Sequence, residues 1–479
     1  MNVCGAQTLR AALFILGAHM GKKIRIPVKL KLGYGIGALS YAIPFQIISG
    51  FFLFYANSVL GISGTLSGTI IAVSIFWDAF TDPIMGYISD KTSPKVLFGR
   101  RLFYVFIGAI GLAISNFFLW SIDVKLPGLA KAVILGLMLI LVKTFSTIFT
   151  TPYLALGAEL SNDYDERTSV QSFRTAFYFL GFMFPVIVGL GIFKVTDNTE
   201  NFSLFALTTS IIIIVCAAIS IAVSRRKSLF PSAKKTRRSG FIGLLKESGI
   251  ALKCNDFRNI SITLLFVNMA MGVVSAAGLH TFSFTFYLGD REKMIVLGSL
   301  FAMALIAQPI WVIIARRFEK KIALKACLFI NLGVAIAFLI YVLNNVWVSE
   351  NYLAIVPLSV VMGFSIGGSI ALPYSMISDT VDKDAYNTGV RKEGVFYGFA
   401  TFMYKLSQAI AIFSIGALLD IIKFNADIVQ DNSVYVKLGL IMPVGFIICF
   451  LGALYFTIKY TLNKKKVAEF QQNQPKSDL

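Results

Sequence analysis

Twelve stretches of about twenty or more mostly apolar residues recur along the 479-residue chain. A hydrocarbon core about 30 Å thick takes about 20 residues of helix to cross. Only helices and closed barrels satisfy every backbone group inside it. The windows are 33–59, 64–89, 102–122, 131–157, 172–194 and 203–224, then 260–288, 293–316, 322–345, 351–378, 393–423 and 435–461. Composition supports this reading. Apolar residues are 56% and charged residues 14% of the chain, against about 45–50% and about 25% in soluble domains. With 43 Phe and a mean hydropathy of +0.75, too little polar surface remains to cover a water-soluble globule. The chain reads as an all-α integral membrane protein, which excludes a secreted enzyme, a disordered scaffold and a fibre.

Six windows precede a long polar stretch and six follow it. The expected organisation is a tail over 1–32, a six-helix half over 33–224, a basic linker over 225–258, a second six-helix half over 259–461 and a tail over 462–479. Two six-helix halves around a central linker are the layout of the major facilitator fold. Of 44 Lys and Arg, 35 lie on the tails and even-numbered loops and seven on odd-numbered loops. The remaining two, Lys143 and Lys405, fall deep inside helices. Basic flanks resist translocation, so both termini are expected in the cytoplasm of a multi-pass protein of the plasma or inner membrane.

The formal net charge of +19 would suggest nucleic acid in a soluble chain. Here the basic residues serve orientation, and no nucleic acid or obligate protein partner is implied. The linker SRRKSLFPSAKKTRRSGF reads as a solvated topogenic loop, with an anionic-lipid patch as the alternative. Five scattered cysteines and two distant histidines, His19 and His280, offer neither a disulfide framework nor a metal site. His280 is expected to find a polar partner between helices. The apolar run Ala11–Ala18 is thin for a signal peptide, and initiation at Met20 is as reasonable as a function for the first residues.

Charges at membrane depth are the informative residues, because each costs at least about 2.5–3.5 kcal/mol at a helix centre. Asp78 and Asp82 stand out in SIFWDAFTDPIMGYISD. Their i, i+4 spacing puts both carboxylates on one helix face. Two carboxylates that close need a counter-charge, which can be a proton, a bound Na⁺ or a lysine. Carboxylate and carbonyl oxygens suit a hard cation, and Pro83 frees a carbonyl in the preceding turn. A coupling-cation site is the functional reading. The plainer one is a structural pair with Lys143 or Lys405.

WDAFTDPIMG resembles the helix-two motif of the glycoside–pentoside–hexuronide cation symporters, the family typified by the melibiose permease. The likeness extends to KLGYGIGAL from Lys31, to TPYLALGAELSNDYDERTSVQSFR and to DTVDKDAYNTGVRKEGVFYGF, which is followed by Lys405. It implies alternating access and symport driven by Na⁺ or H⁺, with no cofactor beyond that ion. Residue by residue, it implies that Asp78, Asp82 and Thr147 bind the cation, the aspartates holding Na⁺ if that is the ion used. Lys405 matches the helix-eleven lysine facing that site, and Arg174 an arginine near the sugar. The sugar half departs from the family. Ala42 and Thr150 stand where the melibiose permease has aspartates, and Leu154 stands where it has tryptophan.

The resemblance therefore implies a small-molecule solute, with a sugar or glycoside as the first expectation. Relatives of the superfamily include sodium-dependent lysophosphatidylcholine symporters, so a lysophospholipid or another amphipathic or acidic solute is the alternative. Lys143 lies outside the family pattern, one turn before Thr147 and two before Thr150, hence on their face. It can pair with Asp78 or Asp82, or receive an acidic solute, and pairing is the favoured expectation. GYISDKTSPKVLFGRR and, more faintly, ARRFEKK resemble the latch loops of major facilitators. GFSIGGS reads as close helix packing. A multispan enzyme would need HExxH, which does not occur, or a GxSxG nucleophile turn, and the GxSxG of Gly363–Gly367 falls within that apolar packing stretch with no strand before it.

If the topology is right, cysteine labelling finds Ser228 inside and Asn198 outside. Finding both on one side sinks the two-half reading.

Overall fold

A computed structural model describes residues 26–93, 96–160, 164–196, 200–225, 252–389, 393–426 and 428–472. Ser228, Asn198 and most of the linker lie outside these residues, as do the apolar run Ala11–Ala18 and Met20.

Among the described residues, twelve helices are long and apolar enough to cross a membrane. The first six are α1 (Val28–Val59), α2 (Gly64–Ser89), α3 (Arg100–Leu119), α4 (Gly128–Gly157), α5 (Ser169–Phe193) and α6 (Asn201–Ser224). The second six are α7 (Asn255–Thr285), α8 (Asp290–Ala315), α9 (Lys320–Leu343), α10 (Tyr352–Thr388), α11 (Val395–Ile421) and α12 (Asn432–Lys459). The helix α1 starts before its apolar window, at the extended Pro27 (ψ 137°), and so takes in Lys29 and Lys31. Lys31 is tolerated there because its ammonium pairs with Glu166 at 3.0 Å and donates to Ser169 at 2.8 Å. The C-terminal tail folds into a further helix, Lys464–Gln472, with Phe470 against Tyr386.

The two halves repeat each other down to their turns. α1 ends in a π-helical turn, Tyr55–Val59, and α7 in another, Thr281–Thr285. The amide of Leu60 donates to the Tyr55 carbonyl and that of Ile62 to Ala56. Phe286 and Leu288 donate to Thr281 and Phe282 in the same pattern. Gly61 (φ 66°) and Tyr287 (φ 53°) take the left-handed conformation at matching positions. Glycine bears this without strain, whereas the tyrosine must be held there by its surroundings.

Packing follows the same two-fold logic. α1 packs on α5 and α6, and α7 on α11 and α12. Between halves, α2 packs on α11 and α5 on α8. Glycines permit the closest approaches: a Cβ on Gly64 would sit 2.2 Å from the Gly416 carbonyl oxygen. GFSIGGS packs as its composition suggests, with Gly363 and Gly367 directly against α8 backbone. In ARRFEKK, Lys320 reaches Asp379 at 2.6 Å and ties α9 to α10. In the first-half loop, Arg101 donates to Ser89 at 2.8 Å.

Polar contacts join the halves at the membrane face away from the termini. Asp420 on α11 accepts the amides of Gly64 and Thr65 at 2.8 and 2.7 Å, so one half caps the first turn of α2 in the other. Asp290 accepts the Thr196 amide at 2.9 Å and a bond from its hydroxyl. Lys293 pairs with Asp290 at 2.9 Å and donates to Thr196 at 2.6 Å. His280 sits beside this seam among Phe54, Phe284 and Phe424, so its neighbours are aromatic instead of the expected polar partner.

Removing a helix cap costs about 1 kcal/mol, more with charge at the helix dipole. Asp420→Ala therefore loosens this face, and a cysteine at Thr65 should label about fivefold faster. Unchanged labelling would mean the seam does not depend on Asp420.

Candidate functional site

The site is assembled at mid-membrane by α2, α4 and α11. Asp78 lies fourteen residues into α2, about 21 Å along its axis at 1.5 Å per residue. The i, i+4 spacing turns Asp78 and Asp82 to the same side, and Thr147 of α4 meets both. Its Oγ1 lies 2.9 Å from Asp78 Oδ1 and 2.9 Å from Asp82 Oδ1. A hydroxyl has one proton, so it can donate to only one carboxylate at a time. A proton or a cation among these three oxygens would satisfy the second contact. The arrangement can therefore hold a small hard cation or share a proton.

Lys405 closes the other side of the pair. Its Nζ is 3.0 Å from Asp78 Oδ2 and 2.5 Å from Asp82 Oδ2. One ammonium thus ties α11 of the second half to two consecutive turns of α2 in the first. The Asp82 side chain is 40% exposed and that of Asp78 17%, which makes Asp82 the accessible partner.

Lys405 takes both outer carboxylate oxygens, and Lys143 lies in the electrostatic field of Asp78 and Asp82 without a direct ion pair to either. Its side chain is buried at 8% exposure, and its Nζ sits over the Phe45 ring, 5.6 Å from the centroid. A cavity of about 460 Å³, counting its mouth, lies beside the pair. Asp78, Lys143 and Lys405 supply its charges, Phe45 and Tyr404 its aromatic wall, and Ile71 and Ile412 apolar surface toward the far seam.

The remaining expected residues are divided by the helix faces they occupy. Thr150 and Leu154 continue the stripe of Lys143 and Thr147 along α4. Thr150 Oγ1 is buried without a hydrogen bond, and Leu154 is exposed. Arg174 of α5 donates to the Tyr41 hydroxyl at 3.0 Å, and its Nε is buried without a partner. Ala42 is fully buried against Gly181 and holds α1 to α5 instead of facing the cavity.

Two features escaped sequence reasoning. Tyr41 positions Arg174 and lies within a ring cluster with Phe149, Tyr153 and Tyr178. Gln408, one turn from Lys405 on α11, lines the cavity with its amide held by the Asn268 carbonyl at 3.0 Å. The i, i+3 spacing from Lys405 was the available signal.

The profile of the family described as MFS/sugar transport protein matches residues 33–464, and the chain belongs to that family. The sodium-dependent lysophosphatidylcholine symporter 1-A of Danio rerio is 24% identical, over 93% of this chain and 88% of that protein. A putative 2,3-dihydroxypropane-1-sulfonate exporter of Escherichia coli is 25% identical, over 85% and 87%. A bacterial homologue of the human lysosomal transporter Spinster, solved inward-facing and unoccupied, superposes with a TM-score of 0.66 at 12% identity, over 94% of this chain and 98% of that one. A D-xylose–proton symporter superposes with a TM-score of 0.57 at 13% identity, over 88% and 97%. The protein is a multi-pass symporter-type transporter of the major facilitator superfamily, not an enzyme.

Thr147→Val preserves shape and removes the hydroxyl. Net loss of a hydrogen bond to a charged group is about 1.5–3 kcal/mol, so cation affinity by calorimetry should fall at least about tenfold. Thr147→Ser should retain it. Equal affinity in both variants would take Thr147 out of the site.

Proposed function

We propose that the protein is a cation-coupled symporter working by alternating access. Asp78, Asp82 and Thr147 bind the coupling cation, Na⁺ or H⁺, and Lys405 holds the carboxylates when it is absent. The observation that carries this reading is the contact of Lys405 with both aspartates across the two halves. A cation entering between the aspartates competes with the ammonium for the same oxygens. Its binding frees α11 from α2, so the inter-half contact depends on the ion. Both termini face the cytoplasm in this proposal, and the membrane is the plasma or inner membrane.

The solute occupies the cavity beside the pair. The family description favours a sugar or glycoside. A second reading, an amphipathic or acidic solute, has its own support. Two relatives are named for a lysophosphatidylcholine and for a sulfonate. The cavity pairs aromatic walls with the lone ammonium of Lys143, and no carboxylate stands at Ala42 or Thr150 to accept sugar hydroxyls.

Asp78→Asn and Asp82→Asn should each abolish uphill uptake in proteoliposomes tested with sugar and lysolipid panels, with and without Na⁺. Expression should persist, since a neutral amide costs less to bury than an unpaired carboxylate. If both variants still concentrate solute against its gradient, the pair is structural and the coupling assignment is wrong.

A further inference from the structure

A second cavity lies away from the solute pathway, on the face where α1 begins and α12 ends. It measures about 1190 Å³, counting its mouth, against about 460 Å³ for the one beside the aspartates. All its walls belong to the second half: the end of α8, the start of α9, a stretch of α10, the chain after α12 and the tail helix Lys464–Gln472. Asp78, Thr147 and Lys405 take no part in it.

The tail helix is pinned on both sides of this cavity. Ahead of it, Asp256 at the start of α7 accepts the Thr461 amide at 2.7 Å and its hydroxyl at 2.9 Å, and pairs with Lys383 of α10 at 2.6 Å. Toward its other end, the Phe470 ring packs on Tyr386 with centroids 5.2 Å apart. Between these anchors Lys464, Val467 and Ala468 line the cavity. The helix is a fixed roof over it.

The two ends of the cavity differ in chemistry. At the rim, Lys320, Lys321 and Lys464 stand with Glu319 and Asp379. Lys320 neutralises Asp379 at 2.6 Å. Lys321 donates to the carbonyls of Ile458 and Tyr460 at the end of α12, which uses two of its three N–H donors. Three ammonium groups against two carboxylates leave one surplus positive charge, and Lys465 and Lys466 are exposed on the tail helix beside it. The deeper end is apolar, formed by Val312 and Ala315 of α8 and by Ala371 and Leu372 of α10. Asp379 and Ala371 are eight residues apart on one helix, about 12 Å along its axis. Val312 is 41% exposed and Ile313 66%, so the apolar end runs on into the outer surface of α8.

We propose that this cavity binds an anionic phospholipid from the leaflet on the side of the chain ends, with its phosphate at Lys321 and Lys464 and an acyl chain along Val312 and Ala371. A basic rim above an apolar trough open to the bilayer fits an amphiphile with a negative head, and basic pockets between helices bind such headgroups. A soluble phosphate would use the rim and leave the apolar wall in water. A neutral lipid would leave the surplus charge unmatched. The bound lipid fastens the tail helix to α8 and α10, so its docking depends on the charge of the membrane. The cation site plays no part in this proposal, and the proposed orientation decides only which leaflet supplies the lipid.

The test counts lipids retained by the purified full-length protein in native mass spectrometry. Phosphatidylglycerol, phosphatidylethanolamine and phosphatidylcholine with the same acyl chains compete for it. Phosphatidylglycerol should be retained at least about fivefold over either of the others, the effect of one basic residue at an anionic surface. Ala468→Trp fills the cavity from an exposed position on the roof and should abolish that preference. Lys464→Gln should weaken it about fivefold. Lys465→Gln removes the same charge outside the cavity lining and should leave it unchanged. Excess glycerol phosphate should not displace the lipid. The proposal is overturned if phosphatidylethanolamine or phosphatidylcholine matches phosphatidylglycerol, or if folded Ala468→Trp keeps the preference. Displacement by glycerol phosphate overturns it too, by making a soluble phosphate the occupant. Equal losses in Lys464→Gln and Lys465→Gln would mean a diffuse basic surface and also sink it. Should Ala468→Trp fail to fold, the two lysine variants decide alone.

Discussion

One ammonium holds the two halves together at the level where the chemistry happens. Lys405 lies within 3.0 Å of both α2 carboxylates, and its helix belongs to the other half of the molecule. An ion pair in low dielectric is poor evidence of stability, because desolvation takes back much of the attraction. Breaking it one-sidedly is another matter, at a typical cost of about 3–5 kcal/mol. A bond that is cheap to replace and expensive to leave half-made suits a carrier. Any event that offers the aspartates another cation weakens the hold of Lys405 and loosens α11 from α2.

The rest of the molecule makes that bond consequential. The far-face seam joins the same helices, α2 to α11, through Asp420 and the Gly64–Gly416 approach. Its two-fold counterpart joins α5 to α8 through Thr196, Asp290 and Lys293. The seam and the Lys405 bridge therefore bear on one pair of helices from two depths. The π-helical ends of α1 and α7 lie at the same face, and such turns often mark functional positions in helices.

Length and apolarity alone made the spans legible, because lipid leaves a chain no alternative to the helix. The aspartate pair was legible for the same reason, since two carboxylates in an apolar window call for a counter-charge. The seam was not. Asp290, Lys293 and Asp420 sit at helix ends, where charge is ordinary, and only the fold reveals that Asp290 is fully buried against the other half. Tyr41 was hidden by the abundance of aromatics in the chain. Ala42 was expected at the solute from the family resemblance, and its side chain packs against Gly181.

The cation half and the solute half of the site follow different physical rules, and this explains why one matches the family motif and the other departs from it. Holding a small cation needs several oxygens on adjacent turns, which leaves little freedom in residue type at Asp78, Asp82 and Thr147. Holding a solute needs only that the loaded cavity be complementary in charge and shape, which many side chains can supply. Lys143, on the α4 stripe of Thr147 and Thr150, moves that wall toward positive charge while Thr147 keeps its contacts with Asp78 and Asp82. In the proposed symport, coupling would survive such a change because Lys405, and not the solute, is the group that competes with the cation. A carrier built this way can change the charge of its cargo while keeping the ion-dependent contact between its halves.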